Sequence, residues 1–77
     1  MARITYPELV GGLGAARTAV LSRYSELGGN EDLSVRSNRD AMIESLAAIE
    51  AEVELSGSRP VLLKGLRSIR RRVEAAQ

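Results

Sequence analysis

Residues 38–73 read NRDAMIESLAAIEAEVELSGSRPVLLKGLRSIRRRV, and this stretch decides the fold. In its first half Met42, Leu46, Ile49 and Val53 step by four, three and four, which places them on one stripe of a helix at 3.6 residues per turn. In its second half Leu62, Leu66, Ile69 and Val73 repeat the pattern, continued by Ala76 and joined by Leu63. Between them lies Ser56-Gly57-Ser58, a break, followed by Pro60, which suits a first helical turn because its missing N–H has no intrahelical partner to lose. The spacing predicts helices over about 38–55 and 59–75. So short a connection makes them an antiparallel hairpin, with Leu46, Ile49, Leu66 and Ile69 as its core.

Charge supports the same pairing. Residues 40–58 hold Asp40, Glu44, Glu50, Glu52 and Glu54 and no base, a balance of −5; residues 59–77 hold Arg59, Lys64, Arg67, Arg70, Arg71 and Arg72 against Glu74, a balance of +5. Side by side, the two helices carry opposite charge, although an exposed pair contributes only about 0–1 kcal/mol. Glu50 and Glu54 share a face and Glu52 does not.

Upstream, Thr5 to Glu8 has the spacing of a capping box, and Gly28-Gly29 supplies residues able to close a helix C-terminus in the left-handed conformation. A first helix is therefore expected over 6–27. Its turning angle gathers Tyr6, Val10, Leu13, Val20 and Tyr24 on one face, with Leu9, Leu21 and Leu27 at the edges and Arg17 near the middle. The aliphatic stem of Arg17 is expected to cover apolar surface, with Glu50 as a candidate mate; the sharper alternative is an Arg held inward to meet a partner. Residues 30–37 are a loop in this reading, with Ser37, followed by Asp40, as cap of the second helix; Asn30 capping one longer helix is the alternative.

The other side of the first helix carries Gly11, Ala15, Thr18, Ser22 and Ser25, small and uncharged. An outer helix face is ordinarily more polar, and small residues permit close backbone approach. Gly11, Ala15, Thr18 and Ser22, with Arg17, are therefore the candidate interaction residues, to be covered by a second copy or a larger protein. Coverage by the other two helices is the plainer alternative.

Whole-chain composition narrows the chemistry. At 77 residues, one domain spanning 1–77 hides only about 60% of its unfolded surface, so the core is thin. There is no Cys and no His, which removes disulfides, thiolate nucleophiles, Cys/His metal sites and the side chain best suited to proton transfer near neutral pH. Gly11-Gly12-Leu13-Gly14 meets neither the P-loop pattern nor the dinucleotide fingerprint, whose third glycine position is Arg17. No catalytic residue, cofactor, metal or small-molecule substrate is expected, and the chain is read as a non-enzyme. A net charge of +1 does not make it a polycation, no run has the length of a membrane span, and Ala2-Arg3 leads into Thr5-Tyr6-Pro7-Glu8 instead of a signal peptide's apolar segment. A cytoplasmic address follows.

The expectation is thus an all-α small three-helix bundle with a C-terminal antiparallel hairpin, assembling into an oligomer. Its function is that of a non-enzymatic protein-interaction module, through self-association or docking on a larger protein. The alternative is a small nucleic-acid-binding regulator using Lys64, Arg67, Arg70, Arg71 and Arg72, with Ser56-Gly57-Ser58 as the turn of a helix-turn-helix. The aromatic side chains on which single strands stack are missing from that helix.

Overall fold

The computed structural model describes residues 11–14, 16–30, 32–57 and 60–75. A short 3-10 turn, Gly11–Leu13, precedes three helices: α1 (Ala16–Glu26), α2 (Arg36–Leu55) and α3 (Pro60–Ala75). No strand occurs among the described residues. The protein is all-helical, with α2 packed against both α1 and α3 and the 3-10 turn resting on α1 and α3.

The stripes read from residues 38–73 form the interior. Met42, Leu46, Ile49 and Val53 from α2 are buried with Leu66, Ile69 and Val73 from α3, and Leu62 and Leu63 pack half-buried against them. Burying one such side chain stabilises by about 1.5–3 kcal/mol relative to leaving it exposed, so this contact supplies much of the fold's favourable energy. From the other side Val20 and Tyr24 of α1 complete the core, with Leu13 lying over Gly65 of α3. The second helix ends as its sequence requires: the Ser56 N–H donates to Glu52 O at 3.1 Å and Gly57 adopts φ +118°, a conformation glycine takes without a Cβ penalty. Pro60 opens α3 in the expected first-turn position.

The first helix is shorter than its sequence suggests. It does not run unbroken over 6–27: Gly11–Leu13 is a 3-10 turn, Gly14 takes φ +59°, and regular helix begins only at Ala16. The glycines that would weaken a continuous helix interrupt it instead. The Thr5–Glu8 capping box and the apolar positions Tyr6, Leu9 and Val10 lie outside the described residues, as do Ser58, Arg59 and Ala76. At the other end Gly28-Gly29 closes α1 as expected. The Gly28 N–H donates to Ser25 O and the Gly29 N–H to Tyr24 O, both at 3.0 Å, with Gly28 at φ +80°. This is the six-to-one, five-to-two bonding of a Schellman closure.

Ser37 is not the cap of α2. The helix starts at Arg36, Val35 occupies the cap position in an extended conformation without a side-chain cap bond, and Ser37 is exposed in the first turn. Nor does Asn30 cap a longer helix; the approach is held by side chains from within α2. Asn38, 4% exposed, donates Nδ2 to Asn30 Oδ1 at 2.6 Å and to Asp32 O at 2.8 Å, and its Oδ1 accepts from the Asn30 N–H at 3.3 Å. Arg39 donates to the carbonyls of Leu33 at 3.2 Å and Ser34 at 2.8 Å. The Tyr24 hydroxyl donates to Asn30 O, and Leu33 is buried in the core. The turn between α1 and α2 is thereby fixed from both sides.

Candidate interaction surfaces

Two surfaces remain once the core is assigned, one on α1 and one on α3. Of the eleven residues of α1 only Val20 and Tyr24 are buried. Thr18, Ala19, Ser22 and Ser25 are exposed, so α2 and α3 do not cover the small face of this helix. Gly11 is exposed but belongs to the 3-10 turn, on the far side of the break at Gly14, and so shares no continuous helical strip with Thr18 and Ser22. Ala15 lies outside the described residues. Beside this face Ala19, Ser22 and Arg23, with Glu26, form a cleft of about 260 Å³ against Ile49 and Glu52 of α2. Its lining joins small exposed side chains and the buried Ile49 with charges of both signs.

Arg17 is neither buried nor paired with Glu50. Because α1 begins at Ala16, Arg17 sits in the first turn instead of mid-helix, and it is exposed. Glu50, whose side chain is only 9% exposed, is ion-paired from α3: Oε2 lies 3.0 Å from Arg70 Nε, without hydrogen-bond geometry, and Oε1 lies 3.4 Å from Arg67 Nε. Arg70 also donates through a terminal nitrogen to Glu50 Oε1 at 3.3 Å. Glu54 Oε1 accepts from Arg67 at the outer edge of the same seam. The contacts step backward along α2 as they step forward along α3. Removing Glu50 from water is costly, and two guanidinium partners are what make its burial tolerable.

This seam divides the basic cluster of α3. Arg67 and Arg70 are engaged by α2 carboxylates, whereas Lys64, Arg71 and Arg72 are exposed and have no ion pair among the described residues. Pro60, Lys64, Arg67 and Arg71 step by four, three and four along the outer stripe of α3. Together with Leu63 they line a groove of about 290 Å³. Leu55 and Val61, 89% and 86% exposed, flank the turn between α2 and α3.

Sequence reasoning missed Asn38 and Leu33. Neither belongs to an apolar stripe: Asn38 is polar within a helical run, and Leu33 is a single apolar residue in a loop. Among the described residues no group of three or more acidic side chains is placed to hold a metal ion, and no helix is long and apolar enough to cross a membrane. No protein-family model, curated protein or solved structure matches this chain.

Proposed function

We propose that this chain is a non-enzymatic helical interaction module that associates with a second copy of itself through the α1 side of the α1–α2 cleft. In this reading α2 and α3 are an antiparallel hairpin that serves as a rigid scaffold, and α1 is the face it displays. The observation that carries the proposal is the cleft itself. Ala19 and Ser22 offer it small, exposed side chains, while the exposed Arg23 lines the same cleft as Glu26 and Glu52. A two-fold interface places each patch against its own copy, so a lining bearing both signs is self-complementary: Arg23 of one copy meets the carboxylates of the other. Small residues at its centre let two helices approach closely. Docking on a larger protein through the same face is the other form of this reading.

Light scattering across protein concentration, at low and high salt, tests the proposal. Self-association gives a mass that rises with concentration and falls only in part at high salt, because the ion pairs between copies are screened while the close packing of small residues is not. A constant monomer mass up to high micromolar concentration contradicts it. The nucleic-acid alternative rests on the unpaired Lys64, Arg71 and Arg72. Duplex binding through them would weaken with salt at a log–log slope of about −0.9 per phosphate neutralised.

A further inference from the structure

The groove on α3 carries a second inference, independent of the α1 face. Its lining combines an apolar part, Pro60 and the half-buried Leu63, with the cations Lys64, Arg67 and Arg71. Arg67 is already held by Glu50 and Glu54, which leaves Lys64 and Arg71, two helical turns apart, as the uncommitted charges. The molecule also shows what this helix binds on its opposite flank. There α2, an acidic amphipathic helix, seats its apolar stripe on Leu66, Ile69 and Val73 and meets Arg67 and Arg70 with carboxylates one helical turn apart at i and i+4.

We propose that the groove of Pro60, Leu63, Lys64, Arg67 and Arg71 is a docking site for an acidic amphipathic helix of a partner protein. That helix would place apolar side chains over Leu63 and Pro60 and carboxylates against Lys64 and Arg71. Charge complementarity selects an acidic occupant, and the apolar floor selects a peptide over a nucleic acid. A phosphodiester backbone gains nothing from Leu63, and α3 offers no aromatic ring on which a base could stack. Helix-in-groove recognition reads anchors at i, i+3, i+4 and i+7, and the spacing of Lys64 and Arg71 matches carboxylates at i and i+7 around a central pair of leucines.

The test is fluorescence-anisotropy titration of the full chain with a labelled synthetic helix of about four turns that bears Leu at i+3 and i+4 and Glu at i and i+7. Three further probes accompany it: the same peptide with Ser for Leu, the same peptide with Lys for Glu, and a duplex oligonucleotide. The acidic, leucine-bearing peptide is expected to bind. The paired substitutions Lys64→Glu and Arg71→Glu are expected to weaken it about tenfold or more, since two attractive contacts become repulsive. The Ser and Lys peptides are expected to bind weakly or not at all. Circular dichroism of the double variant is expected to match that of the wild type, because both positions are exposed. Ser22→Arg, on the α1 face, is expected to leave the peptide affinity unchanged, which separates failure of this site from failure of self-association. Equal binding of the Ser peptide would overturn the apolar component, and unchanged affinity in the double variant would overturn the site. Tighter binding of the oligonucleotide than of the acidic peptide would overturn the choice of partner in favour of nucleic acid.

Discussion

The α2–α3 seam and α1 are built to different standards. Along the seam, two apolar stripes bury one another and a nearly buried carboxylate is matched by two guanidinium groups. Along α1, two side chains in eleven are buried, Ala16 and Leu21 pack half-buried against the core, and the other seven are exposed, four of them small. A chain of this size has little apolar material to spare, so a helix that buries only Val20 and Tyr24, with Ala16 and Leu21 half-buried beside them, is held by its C-terminal end as well as by its side. The Schellman closure at Gly28-Gly29 fixes one end, and the Asn38 network fixes the turn that follows. The difference separates the part of the molecule that makes the fold from the part it can present to another molecule.

The largest test of this contrast is Leu66→Ala. Leu66 is fully buried between the stripes, and its truncation is expected to cost about 2–5 kcal/mol, comparable with the total stability of a domain this small. A chemical-denaturation midpoint close to that of the wild type would show that the seam does not hold the fold.

Asn38→Ala addresses the turn. It removes three hydrogen bonds and leaves Asn30 and Asp32 groups short of a partner, at a cost of about 1–3 kcal/mol. Hydrogen exchange is expected to quicken across residues 29–35 before it changes at Leu46 or Ile49.

Glu50→Ala comes next, at about 1–2 kcal/mol. Removing one member of a fully buried pair costs more, but Arg67 and Arg70 are 44% and 33% exposed and recover hydration. Thermal melts of the wild type and variant measure the difference, and a loss above that of Leu66→Ala would make the ion pairs, not the stripes, the main support. The smallest effect belongs to Thr18→Ala, expected within about 0.5 kcal/mol in the monomer because the side chain is exposed and makes no core contact.

The same contrast explains what could be read before the structure was known. The seam was legible because its signal is periodic: Met42, Leu46, Ile49 and Val53 and their counterparts on α3 repeat at helical spacing, and opposite charges sit on the two halves. Buried Leu46, Ile49, Leu66 and Ile69 follow directly. The approach to α1 was not legible in this way. Apolar residues from Tyr6 to Tyr24 fit one continuous helix, and among the described residues the 3-10 turn Gly11–Leu13 and the positive φ of Gly14 divide it. That break carries Arg17 out of the middle of a face and into a first turn, which frees Glu50 for Arg67 and Arg70. The loop was equally hidden, since the pairing of Asn38 with Asn30 and the burial of Leu33 depend on contacts that no local pattern encodes. Of the α1 candidates, Thr18 and Ser22 lie on an open face, whereas Gly11 is separated from them by the break.

The claim that α1 is displayed for association while the seam holds the fold is tested most directly by sedimentation equilibrium of the wild type and Ser22→Arg, with thermal midpoints measured on the same samples. Ser22 is exposed and lines the cleft, so a long cation there blocks a two-fold approach without touching the core. The account predicts a wild type whose mass rises with concentration and a variant that stays monomeric and melts at the temperature of the dissociated wild type. A wild type that remains monomeric at high micromolar concentration, or a variant that assembles as the wild type does, would contradict it.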